Sequence, residues 1–142
     1  MTVQVCVLNP AQWKVLAKDA HLIVFNEGRP AGKDRIDYAL VAESDSVGIF
    51  GYVTARELDE DTVYWQFGGA FPNSKKSKLA VDGYRAFIQW TLEHDYKRIC
   101  TYIENENTTM LKLAMFHGFR VIGVRNFEGK ILLEHVLDFK KG

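Results

Sequence analysis

The stretch TVYWQFGGAFPNSKKSKLAVDGYRAFIQWTLEHDYKRICTYIENENTTMLKLAMFHGF, residues 62–119, decides the fold. Its first ten residues, TVYWQFGGAF (62–71), are β-branched or aromatic with a glycine pair, the composition of a largely buried strand. PNSKKSK (72–78) follows as a turn: Pro72 has no amide to donate, Asn73 and Ser74 suit turns, and Lys75, Lys76 and Lys78 fall within four residues. Residues 79–96 place Leu79, Tyr84, Phe87, Ile88, Leu92 and Tyr96 close to a 3.6-residue period, which predicts a helix with one buried face. RICTYIE (98–104) is a second strand. NTTMLKLAMFHGF (107–119) is a second helix, with Asn107 as its cap, Met110, Leu111 and Ala114 on its inner face, and Gly118 to end it. Two strands joined by one helix require a crossover, so strands 62–71 and 98–104 are expected to be parallel with a right-handed connection. Where strand 62–71 turns into the helix, amide donors and lysine charge coincide, and an anion is expected to bind there.

Outward from this core the chain reads simply. Residues 2–8 alternate valines with small or polar residues and predict a first strand. Asn9-Pro10 starts a helix carrying Trp13, Leu16, Ala17 and Ala20, and residues 26–33 have loop composition. Residues 36–43 and 47–58 predict an antiparallel pair around a turn at 44–46, with Gly48 and Gly51 as bulge sites. Asp59-Glu60-Asp61 reads as a solvated hairpin tip. After Phe119, residues 120–127 and 131–139 form a last hairpin around Glu128-Gly129-Lys130. The fold class is therefore α/β with a mixed β-sheet: an antiparallel meander, a central parallel βαβ unit and a C-terminal hairpin, with helices on both faces, in one domain over residues 1–142. Trp65 and Phe67 should face one helix layer and Tyr64 and Gln66 the other. Gly68-Gly69 is the expected bulge of the central strand.

Composition excludes several classes. The 142 residues are 47% hydrophobic and 25% charged with zero net charge, which fits a packed domain and argues against a general nucleic-acid binder. Near-zero charge leaves self-association open, so a homodimer or an assembly partner is compatible with the sequence. Cys6 and Cys100 lack metal-ligand or CxxC spacing and read as reduced residues; the four histidines show no metal spacing, so no metal is expected. No secretory signal pattern opens the sequence, and no apolar run approaches the roughly 18 residues of a membrane span, so a cytoplasmic location is expected.

The strand order, together with Asn107-Thr-Thr-Met-Leu-Lys-Leu-Ala-Met-Phe-His-Gly118-Phe119, resembles the GNAT N-acetyltransferase superfamily over nearly the whole chain. That resemblance implies that the fourth and fifth strands splay and that acetyl-CoA enters between them as co-substrate. It implies a binding set of Gly69, Ala70, Phe71, Lys75, Lys76, Ser77, Lys78, Leu79 and Asn107, with phosphates on the turn before the helix. The family's glycine-bearing phosphate turn is replaced here by Asn73-Ser-Lys-Lys-Ser-Lys-Leu-Ala80, so charge would take over from close backbone approach. The family's tyrosine general acid, four residues before the helix-ending glycine, is replaced by Ala114. Glu104, at the end of strand 98–104, is the candidate base for a direct transfer to an amine of a small molecule or protein, with Glu57 and Glu106 behind it. A second class of function stays open: the same fold without catalysis, as a binding or assembly protein, as in small GNAT-like proteins of tailed bacteriophages associated with the virion.

Overall fold

The computed structural model describes residues 3–16, 36–70 and 78–139. Within them lie seven strands and three helices: β1 (Val3–Leu8), α1 (10–16), β2 (Tyr38–Ser44), β3 (Gly48–Glu57), β4 (Thr62–Ala70), α2 (Lys78–Glu93), β5 (Arg98–Glu104), α3 (Thr108–Phe116), β6 (Arg120–Phe127) and β7 (Lys130–Asp138). The strands form one sheet in the order β1-β2-β3-β4-β5-β7-β6. Every neighbouring pair is antiparallel except β4 and β5, the parallel pair joined by α2. The predicted mixed α/β architecture is thus present, and β7 enters between β5 and β6. The predicted continuation of α1 past residue 16, the loop at 26–33, residues 72–77 of the turn predicted at 72–78, and the tail at 140–142 lie outside the described residues; Lys78, predicted as the end of that turn, is the first residue of α2.

In α1 and α3 a side chain satisfies amides of the first turn. Asn9 and Gln12 cap α1 reciprocally: Asn9 Oδ1 accepts from the Gln12 amide at 2.8 Å and Gln12 Oε1 accepts from the Asn9 amide at 2.9 Å. Asn107 caps α3 by accepting from the Met110 amide at 3.2 Å. At the far end of α3, the Phe119 amide reaches Ala114 O and the Gly118 amide reaches Met115 O. This paired closure needs a left-handed residue, and Gly118 supplies it at φ +94°.

Two apolar layers sandwich the sheet. On one face α2 and α3 cover Leu40, Ala42, Phe50, Val53, Ala55, Val63, Trp65, Ile99 and Ile103, contributing Tyr84, Phe87 and Ala114. On the other, Trp13 of α1 packs with Ala39, Val41 and Tyr52. The period-2 alternation of β4 and β5 accounts for this division: Val63, Trp65, Ile99 and Ile103 face α2 and α3, while Tyr64, Cys100, Tyr102 and Glu104 point to the opposite face.

Four expectations need correction. Leu92 is 44% exposed and is not part of the buried stripe of α2; Thr91, fully buried, takes the inward position and donates its hydroxyl to Phe87 O at 2.9 Å. The helix ends at Glu93, so Tyr96 is buried from the following turn and not from the helix itself. The bulge of the central strand is also elsewhere. Thr54 pairs with Phe67 and Ala55 with Trp65, which leaves Gln66 as the extra residue. Gly68 and Gly69 pair regularly with Val53 and Tyr52. Gly68 answers a different need, because a Cβ there would lie 2.9 Å from the Tyr52 carbonyl oxygen on β3. In β3, Phe50 is the extra residue opposite Ala42 and Glu43, immediately beside the predicted Gly51, and Gly48 (φ +72°) belongs to the hairpin turn.

Candidate active site

The parallel ladder between β4 and β5 is short. It covers Thr62 to Trp65 on β4 and Arg98 to Thr101 on β5, and stops there. Both strands run on, β4 to Ala70 against β3 and β5 to Glu104 against β7. The sheet is therefore split at its centre beyond Trp65 and Thr101, one residue before the bulge at Gln66. Thr101 Oγ1 closes the base of the split by donating to Trp65 O at 3.1 Å.

Chain direction places two helix starts at the open end of this split. The segment after β4 leads into α2 at Lys78, and the segment after β5 leads into α3 at Thr108. Between the first turn of α2 and one face of α3 along its length lies an open cleft of about 710 Å³ lined by Lys78, Ala80, Val81, Thr108, Thr109, Lys112, Leu113 and Phe116. Crevices beyond the carboxyl ends of parallel strands collect ligands because helix amides and the positive ends of helix dipoles converge there. Here two ammonium groups and two hydroxyls stand beside an exposed aromatic ring, Phe116, which is 68% exposed. The cleft can thus receive a molecule with anionic and flat apolar parts.

The residues expected from sequence divide as follows. Lys78 lines the cleft. Leu79, beside it, turns its side chain into the core. Gly69 and Ala70 form the end of β4 beyond the split. Asn107 uses its carboxamide to cap α3 at the cleft's rim. Phe71, Lys75, Lys76 and Ser77 lie outside the described residues. Thr108, Thr109 and Lys112 were not anticipated, because exposed polar residues on a helix read as a solvated face. Their one sequence signal is the Thr-Thr pair directly after a cap on a helix that follows a parallel strand.

Glu104 sits two residues beyond Tyr102 on the face opposite α2 and α3, where Lys130 Nζ lies 3.1 Å from its Oε1. Glu57 accepts from the Tyr96 hydroxyl at 2.6 Å and pairs with Val63, toward the closed end of the split. Glu106 is exposed in the turn before α3. Ala114 is fully buried in the layer that α2 and α3 form on the sheet. Tyr84 and His117 fill the adjacent space, their rings 4.9 Å apart. Burial pushes the Tyr84 phenol above its ordinary pKa and keeps it protonated. The His117 Nδ1 meets Leu113 O at 2.9 Å. Cys6 and Cys100 are free thiols, and among the described residues no cluster of His, Cys, Asp and Glu could hold a metal ion. Nor is any described helix long and apolar enough to cross a membrane.

The sequence matches no protein-family model and no curated protein. Solved structures match the fold across almost the full length. The ribosomal-protein-S18-alanine N-acetyltransferase from Escherichia coli superposes with a TM-score of 0.80 at 8% identity, covering 99% of this chain and 96% of that one. The spermidine/spermine N-acetyltransferase from Vibrio cholerae, solved in mutant forms, gives 0.74 at 12% identity, covering 96% and 95%. A GNAT family acetyltransferase from Elizabethkingia anophelis with acetyl-CoA bound gives 0.68 at 15% identity, covering 96% and 97%. Superposition at this level over nearly the full length of both chains leaves one conclusion: the chain has the fold of the GNAT N-acetyltransferases.

Proposed function

We propose that the protein is an acetyl-CoA-dependent N-acetyltransferase that transfers the acetyl group directly to an amine. The observation that carries this reading is the β4–β5 split, whose two strands lead into α2 and α3, the helices that form a lysine- and threonine-lined cleft. The residues present fit the co-substrate. Lys78 and Lys112 offer ammonium groups to phosphates, Thr108 and Thr109 offer hydroxyls, and Phe116 offers a ring face to an adenine. Bound acetyl-CoA supplies an activated acyl thioester. The chain's own part is to orient and to move protons. Beyond Trp65 no ladder joins β4 to β5, so main-chain donors along the inner edge of β4 are available to polarise a carbonyl oxygen in the split. Gly69 and Ala70 end that edge. An amine must lose a proton before it attacks, and Glu104 takes that role through water, with Lys130 holding its carboxylate in place. With Ala114 in the packed layer, the departing thiolate takes its proton from solvent.

Calorimetric titration with acetyl-CoA tests the reading. The wild-type protein should bind in the micromolar range. Replacing Lys78 and Lys112 together by Ala should weaken binding by about 10-fold per lysine, the scale of one charge-assisted contact. It should also flatten the salt dependence of the affinity. Absence of heat at millimolar acetyl-CoA would overturn the proposal and favour the non-catalytic use of the fold as a binding or assembly protein.

A further inference from the structure

On the sheet face opposite α2 and α3, four side chains from four strands make a continuous row. The Arg56 guanidinium carbon lies 5.8 Å from the centre of the Tyr64 ring, and the Tyr64 and Tyr102 rings meet edge to face at 5.9 Å and 86°. The Arg125 guanidinium carbon stands 5.0 Å from the centre of the Tyr102 ring. The row crosses the sheet at the split. Tyr64 precedes the last laddered residue of β4, Trp65, and Tyr102 follows the last laddered residue of β5, Thr101. It thus straddles the base of the split, on the sheet face away from α2 and α3.

The two arginines are set apart by their partners. Arg85, Arg98 and Arg120 each lie against a carboxylate, at 3.6, 2.6 and 2.9 Å respectively. Arg56 and Arg125 make no ion pair among the described residues and are carried on aromatic rings instead. A guanidinium laid over a ring keeps its in-plane N–H edge free, and that edge matches the two oxygens of a carboxylate. Carboxylates also occupy this face. Glu134 is directly opposite Tyr102 in the β5–β7 ladder, and Glu104 is held by Lys130. An incoming ammonium group therefore finds negative charge beside Tyr102, with an unpaired guanidinium over the same ring.

We infer that the acceptor is a small amine that also carries a carboxylate, with Arg125 gripping the carboxylate, Tyr102 and Tyr64 forming the floor beneath the molecule, and Arg56 adding positive charge at the far end of the row. This rests on the transferase reading above and names its substrate class. A polycationic acceptor does not suit this row, since both arginines would repel it.

The test uses the intact protein, acetyl-CoA, and a panel of free α-amino acids, their carboxamides and spermidine. The wild type should acetylate at least one free amino acid with kcat/KM roughly ten times that of the carboxamide, because the amide offers one acceptor oxygen where the acid offers two and a charge. Arg125→Ala should raise KM for the acid about 10-fold or more with little change for its carboxamide, and Arg125→Lys should restore only part of the loss. Arg56→Ala, at the far end of the row, should act in the same direction but more weakly. Titration with acetyl-CoA separates the two readings. If acetyl-CoA binds both wild type and Arg125→Ala equally but acids hold no advantage, or spermidine is preferred, or nothing in the panel is acetylated, the acceptor assignment is wrong and the transferase reading stands. If acetyl-CoA does not bind the wild type, both are overturned.

Discussion

Gly83→Ala puts the packing of α2 on the sheet to a quantitative test. Gly83 is buried in the middle of α2, and a Cβ there would lie 2.7 Å from Phe50 Cε2 and 3.2 Å from Cζ. Two effects oppose each other. Alanine is favoured over glycine inside a helix by about 1 kcal/mol. Forcing a methyl group into a filled core costs about 1–3 kcal/mol. Which one wins depends on whether Phe50 can yield. Its ring is 1% exposed, sits at the bulge of β3, and is enclosed by the same layer that holds Ala42 and α2. A ring so confined cannot swing aside without moving the helix, so overpacking should win by about 1–2 kcal/mol. For a chain of this size that is a fall in Tm of about 3–8 °C. Urea denaturation followed by circular dichroism measures it directly, provided the m-value is unchanged. Phe50→Leu supplies the control. In that background the clash is gone, and Gly83→Ala should become neutral or stabilising by up to about 1 kcal/mol, giving a coupling of about 1–3 kcal/mol between the sites. If Gly83→Ala stabilises the otherwise wild-type protein, α2 does not seat on Phe50 as described.

Three further outcomes are expected. Asp138 accepts from both Arg98 and Arg120, which hold its carboxyl below the usual range. A depressed folded-state pKa contributes stability above the unfolded value of about 3.9 that disappears as pH falls toward the folded value, so Asp138→Asn should flatten the fall in urea midpoint below about pH 4. Asn107→Ala removes the cap of α3 and should cost about 1 kcal/mol in the same denaturation assay. The Cys6 thiol is raised in pKa first by its bond to Glu43, and the Cys100 thiol first by burial, so both should alkylate more slowly with iodoacetamide at pH 8 in the folded protein than in urea.

The sequence made the βαβ centre legible because each of its signals is local. The β-branched and aromatic run at 62–65, the spacing of Tyr84, Phe87 and Ile88, and the Asn107 and Gly118 bracket each report on neighbours within a few residues. What escaped depends on register between strands. The bulge at Gln66 exists only in the pairing of β4 with β3, and nothing in Gln66 itself announces it. The neighbouring Gly68-Gly69 pair drew attention for the wrong reason: Gly68 makes room for a carbonyl of β3, a contact from 16 positions away. Leu92 misled because periodicity counts apolar residues and overlooks a threonine able to return its hydroxyl to the helix backbone. At the site, Glu104 was placed correctly at a strand end, but its partner Lys130 arrives with the last hairpin. Arg56, Tyr64, Tyr102 and Arg125 share a face only after four strands are aligned, so no window along the chain contains that row.

The late entry of β7 into the sheet has a consequence for biosynthesis. Among the described residues, 130–138 are the only ladder partner of β6 and the longer of the two partners of β5, whose ladder with β4 covers four residues. As the chain leaves the ribosome, β1 through β4 can assemble as each hairpin emerges, but β5 and β6 must wait with exposed edges until β7 slots between them. The contacts it then makes reach back up to 40 residues, as between Arg98 and Asp138. Long-range closure of this kind is slow relative to hairpin formation. The half of the sheet that bears the split and the Tyr102–Arg125 stack is therefore completed last, after translation of residue 138. A stalled chain ending before residue 130 would present unpaired β5 and β6 edges to chaperones while its first four strands were already formed.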